Sequence, residues 1–64
     1  MNYTNSQMRE LIDEHIHSKR DREILKRRFI DGVHYEPLAE EYDMSRAQIV
    51  RIVKRGESVF EKLI

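Results

Sequence analysis

Apolar residues recur along this chain at helical spacing, and most of the recurring sets begin behind a capping signal. Met8, Leu11, Ile12 and Ile16 form one stripe, which predicts a helix over about residues 5–16. Thr4 is placed to cap it, Gln7 to complete a capping box, and Tyr3 and Met8 to form the hydrophobic staple. Ile24, Leu25 and Phe29 form the buried face of a second helix over 19–31, with Ser18 as cap and Asp21 as a shorter substitute at the box position. Gly32 is placed to end that helix in the left-handed conformation. A third, short helix over 35–42 carries Pro37 in its first turn, where the missing N–H has no helical partner in any case. The fourth runs over 46–62 on the stripe Ile49, Ile52, Val53, Val59, Phe60 and Leu63. Gly56 interrupts that stripe at a cost of roughly 1 kcal/mol in helix propensity. Because the stripe keeps its phase on both sides, close packing of a neighbouring helix is expected there rather than a bend. No stretch supports a strand, so the expected fold is all-α, a four-helix helix-turn-helix domain.

The helix-turn-helix is the span Tyr35 to Ile52. Leu38, Ala39 and Tyr42 face inward from its first helix and Ile49 and Ile52 from its second, with the corner Asp43-Met44-Ser45 between. Ala39 is small where two backbones must approach, and Asp43 tolerates the left-handed conformation of a sharp corner. Ser45 caps the second helix with Gln48 as its reciprocal partner, flanked by Met44 and Ile49 as a staple.

Size and composition narrow the function. A chain of 64 residues makes one small domain, able to bury only about 60% of its unfolded surface and unlikely ground for a large active site. The absence of cysteine excludes disulfides and thiolate metal sites. Apolar runs never exceed two residues, which excludes a membrane span and a signal-peptide core and makes the cytoplasm the default compartment. The Asn2-Tyr3-Thr4 sequon is then a chance match, with no secretory route to use it. His15 and His17 point to different sides of a helix and lack further ligands, so neither metal nor cofactor is expected. Glu36, Glu40 and Glu41 read as an exposed face, and catalysis has no support. Tyr35 and Tyr42 read as packing residues.

Formal net charge is zero, but its distribution is uneven. Residues 19–28 hold six bases and two acids, residues 46–55 four bases and no acid, and residues 29–45 five acids and no base. A basic field local to one face is what phosphate contact requires. The outer face of the fourth helix displays Ala47, Val50, Arg51 and Lys54, with Arg46, Gln48 and Arg55 at its margins. A helix of this kind fits the DNA major groove. Arg46 and Arg51 suit guanine, Gln48 adenine, and Ala47 or Val50 a thymine methyl, while Lys54 and Arg55 suit phosphates. Lys26, Arg27 and Arg28 on the second helix are expected to hold the DNA backbone.

The stretch DREILKRRFIDGVHYEPLAEEYDMSRAQIVRIVKR, Asp21 to Arg55, resembles the promoter-binding region 4 of bacterial sigma factors. Asp21 to Gly32 are similar to that region's charged helix and glycine stop, with Arg28-Phe29 where the family often has Arg-Tyr. Leu38, Ala39, Met44, Ser45, Arg46, Ile49 and Ile52 follow the rest of the pattern. The resemblance implies that Arg46, Ala47, Gln48, Val50 and Arg51 touch the promoter's upstream element. Three residues depart from it: Arg27 stands at a buried leucine position, Asp43 at the turn glycine, and Val50 at a polar or basic reader. Nothing in the chain resembles the family's promoter-melting or core-gripping regions, so a complete sigma factor is not expected. The expectation is a transcription regulator that binds double-stranded DNA, of the size a phage or mobile element encodes. The alternative is a module that docks on RNA polymerase or a partner sigma subunit. Homodimerisation is a further expectation, and Val59, Phe60, Leu63 and Ile64 at the end of the fourth helix either close the domain's own core or form a dimer interface.

Overall fold

Side-chain caps open three of the four helices of this chain, which is described by a computed structural model over residues 3–62. Helix α1 (Asn5–His15) starts at Thr4, whose hydroxyl accepts from the Gln7 N–H at 3.1 Å while the Gln7 amide oxygen accepts from the Thr4 N–H at 2.9 Å. The predicted capping box is therefore complete. At the other end of α1 the chain turns at Ile16, and the Arg22 guanidinium donates to the carbonyls of Ile16 (2.9 Å) and His17 (3.1 Å). A cation thus binds two carbonyls of the linker between α1 and the next helix.

Helix α2 (Lys19–Phe29) starts with half a box. The Ser18 hydroxyl accepts from the Asp21 N–H at 3.3 Å, but the Asp21 carboxylate accepts from Arg20 at 3.3 Å. Helix α2 ends two residues before the predicted Asp31 because its last turn widens: the N–H groups of Ile30 and Asp31 both reach the Lys26 carbonyl, and that of Val33 reaches Arg27. Gly32 does take the left-handed conformation, at φ 72°. Helix α3 (Tyr35–Glu41) and helix α4 (Arg46–Lys62) follow, with His34 and Tyr42 as the residues that flank α3. The architecture is all-α, and no strand occurs among the described residues.

Helix α4 packs against both α2 and α3 and touches α1, which lies mainly on α2. Its stripe Ile49, Ile52, Val53 and Phe60 meets Met8 and Ile12 of α1, Ile24 and Leu25 of α2, and Leu38 of α3 in one core. Phe60 is wholly buried, with edge-on ring contacts to Phe29 at 5.5 Å and Tyr3 at 6.4 Å between centroids. Burying such a ring contributes about 1.5–3 kcal/mol, and each aromatic contact adds about 0.5–1.5 kcal/mol. Phe60 therefore closes the core of its own domain and is not free for the expected dimer contact; Val59 is half-buried. Leu63 and Ile64 lie outside the described residues.

Gly56 is buried at the place where α2 crosses α4. A Cβ there would lie 2.5 Å from Leu25 Cδ2 and 3.0 Å from Leu25 Cδ1. Close packing, as the unbroken stripe predicts, is what the glycine provides. Between α2 and α3, Arg27 grips Glu41 through two parallel bonds, Nε to Oε2 at 3.1 Å and Nη2 to Oε1 at 2.8 Å, and also reaches Asp31 at 3.4 Å. The resemblance places a buried leucine here; this chain joins the same two helices with a forked ion pair instead.

Replacing Gly56 with alanine gains about 1 kcal/mol of helix propensity but overpacks Leu25 at about 1–3 kcal/mol. The expected result in urea unfolding is a net loss of about 1 kcal/mol. In a Leu25→Val background the same substitution should become neutral or stabilising, because the two side chains that collide are coupled. A second expectation concerns Tyr42, whose phenol is pushed above its ordinary value by burial, then by Glu41 and Glu23, against a smaller opposing effect of Arg27. A raised folded-state value stabilises the fold below the unfolded value of about 10, and the contribution is lost as pH climbs through the folded value. Tyr42→Phe should accordingly lose less stability than the parent between neutral and strongly alkaline pH, measured by urea unfolding across that range.

Candidate nucleic-acid interface

The corner between α3 and α4 is built from backbone bonds that the local sequence dictates. The Met44 N–H reaches the Ala39 carbonyl at 2.9 Å and the Asp43 N–H reaches Glu40 at 3.3 Å, the two bonds of a Schellman motif. Asp43 occupies its left-handed position at φ 53° and is the one non-glycine residue with positive φ among those described. Met44 and Ala39, which such a motif brings together, both pack against the core. One residue later Ser45 opens α4 with a full capping box: its hydroxyl accepts from the Gln48 N–H at 3.1 Å and its N–H donates to Gln48 Oε1 at 2.9 Å. Both halves of the predicted turn are present, and together they fix the direction in which α4 leaves α3.

That direction leaves Arg46, Ala47, Gln48, Arg51, Lys54 and Arg55 exposed, with Val50 half-buried between them. The ion pairs among the described residues lie elsewhere: Glu14 with His15, Asp21 with Arg20, Asp13 with Lys26, and Asp31 and Glu41 with Arg27. None involves α4. Its basic residues therefore project as uncompensated charge although the chain as a whole is neutral.

The three basic residues at 26–28 do not act as a group. Lys26 is held by Asp13 of α1 at 2.7 Å. Arg27 is held by Glu41, whose hydrogen bond and charge push the guanidinium further above its ordinary value. Both line a shallow cleft with Arg9, Ile30 and Tyr42 that no residue of α4 enters. Arg28 alone turns toward α4, where its guanidinium carbon lies 4.9 Å from the centre of the Tyr35 ring and that of Arg46 lies 5.5 Å from the same point. Tyr35 packs against the core as predicted, and its ring also carries two cations.

On the other side of α4, Arg20 and Asp21 at the start of α2 share a cleft with Met44, Gln48, Arg51, Ile52 and Arg55. Arg20 thus adjoins the outer face of α4, a placement the sequence offers no local signal for. Gln48 is exposed, and its Oε1 accepts from the Ser45 N–H with one lone pair, which leaves the second lone pair and both Nε2 hydrogens open to a base edge. Within the described residues no set of three His, Asp or Glu side chains is arranged to hold a metal ion, and no helix is long and apolar enough to cross a membrane.

Comparison of the chain with protein-family models, with curated proteins and with solved structures finds no match. The likeness to sigma factor region 4 rests on the residues quoted above and on nothing further.

Because the capping box defines where α4 begins, Ser45→Ala should cost about 1 kcal/mol. Gln48→Glu keeps an acceptor for the Ser45 N–H and places negative charge at a helix N-terminus, worth about 0.3–1 kcal/mol in the opposite direction. Urea unfolding of the two variants beside the parent checks both signs.

Proposed function

We propose that this domain binds duplex DNA by placing the N-terminal half of α4 in the major groove, as the DNA-reading part of a transcription regulator similar to sigma factor region 4. The observation that supports this most is the pairing pattern: the carboxylates that form ion pairs lie on α1, α2, α3 and the turn after α2, while Arg46, Arg51, Lys54 and Arg55 pair with none among the described residues. An exposed helix leaving a tight corner with unpaired cations along it has the shape and charge that a groove lined by phosphates selects. In this arrangement Arg51 meets guanine, Ala47 and Val50 meet thymine methyl groups, and Lys54 and Arg55 meet phosphates. A module of this kind covers roughly 600–1,000 Å² of DNA, so useful affinity draws on a second subunit or a larger assembly.

Docking on RNA polymerase or a partner sigma subunit is the second reading. Val50 favours it, since a half-buried apolar side chain stands where base-edge contacts would be polar.

Fluorescence anisotropy with labelled duplexes at several salt concentrations tests the first reading. Affinity should fall with salt at a slope of about −0.9 for each phosphate neutralised. Arg51→Ala should relax base preference by about 1–3 kcal/mol at one position, and Lys54→Ala should weaken every duplex alike. Lys26→Ala should leave binding unchanged, because Asp13 already holds that charge away from α4. Capture of polymerase together with salt-independent or absent DNA binding would overturn the DNA reading in favour of the second.

A further inference from the structure

Three helix ends meet at Tyr35. It is the first residue of α3, Arg46 is the first of α4, and Arg28 lies in the last turn of α2. The two arginines come from separate parts of the chain, yet both guanidinium groups lie over one ring, at 4.9 and 5.5 Å from its centre. The ring is half-buried and packed against the core, so it is a fixed platform for them. The face of an aromatic ring attracts cations, which accounts for the gathering.

What is missing is a counter-charge. Neither Arg28 nor Arg46 forms an ion pair among the described residues, and Glu36, which lines the same cleft with His34 and Pro37, pairs with neither. Two like charges drawn to one ring repel each other, and no carboxylate among the described residues forms an ion pair with either. A phosphate group would: it offers several oxygens, and a planar guanidinium fork matches two of them at once, a geometry that lysine cannot supply.

We propose that Tyr35 holds Arg28 and Arg46 as a clamp for a single phosphate group. In the setting of the DNA reading above, on which this inference rests, the group is one backbone phosphate at the edge of the groove that α4 enters. Arg46 is then a register-setting contact and not a reader of guanine, which leaves base recognition to Ala47, Val50 and Arg51. Tyr35 is a positioning residue that acts through the two arginines.

Two measurements test the clamp. In anisotropy titrations across a salt series, Arg28→Gln and Arg46→Gln should each lower affinity equally for duplexes of different sequence. The double variant should lose about as much salt slope as either single one, roughly 0.9, because only one phosphate is involved. Tyr35→Leu should reproduce that loss with both charges retained, whereas Tyr35→Phe, which keeps the ring face, should behave as the parent. Both variants keep an apolar side chain against the core. Additive slopes, a change of base preference in Arg46→Gln, or unaltered affinity in Tyr35→Leu would each overturn the clamp. The second measurement follows the Nε–H resonances of Arg28 and Arg46 as inorganic phosphate is titrated against chloride of equal ionic strength. Both should shift together with phosphate and not with chloride. If they do and no duplex binds, the clamp stands as a site for a free phosphate group and the DNA reading falls. If phosphate moves neither resonance, the clamp falls by itself.

Discussion

Leu25 of α2 occupies space that Gly56 of α4 leaves open, and this close approach governs the rest of the molecule. A side chain at 56 would push α2 away from the helix that supplies the largest share of the core. With α2 seated there, Ile24 and Leu25 complete the apolar interior, and the first and last turns of α2 come to lie beside α4. Arg20 reaches the cleft beside Arg51 and Arg55, and Arg28 reaches the ring that also holds Arg46. The lost helix propensity of one glycine, roughly 1 kcal/mol, is thus offset by packing that could not otherwise form.

A second constraint is electrostatic. The chain carries equal numbers of acids and bases, and folding sorts them. Asp13, Asp21, Asp31 and Glu41 take Lys26, Arg20 and Arg27, which joins α1 to α2 and α2 to α3. Exposed pairs of this type contribute little stability each, with a median of about 0–1 kcal/mol. Their larger effect is on the surface field, because they remove charge from the faces of α1, α2 and α3 and leave that of α4 unopposed.

Local signals along the chain carried most of the fold. Thr4 with Gln7, and Ser45 with Gln48, each specify a reciprocal pair of bonds three residues apart, and both pairs form. Gly32 and Asp43 take the left-handed positions that their residue types favour. The end of α2 was misjudged by two residues because the wide last turn depends on which carbonyl each N–H finds, not on residue type. The site was less legible for a related reason. Lys26, Arg27 and Arg28 look alike in sequence, and only the placement of Asp13, Glu41 and Tyr35 on other helices gives them different work. The nearness of Arg20 to Arg51 is illegible on the same ground, since it follows from a helix crossing and not from spacing.

Neutral net charge bears on how such a domain would find DNA. A uniformly basic protein is drawn in from any direction, whereas attraction here acts over roughly the screening length, about 8 Å at physiological salt. The exposed carboxylate Glu40 on α3 forms no ion pair and repels a phosphate backbone that arrives on the wrong side of the corner. On the DNA-binding reading, that acid therefore acts as an orientation filter: long-range steering is weak, and productive contact requires α4 to arrive first. The same sorting suits a domain that works beside other subunits, since a tethered module depends less on its own long-range attraction and more on meeting the groove in one register.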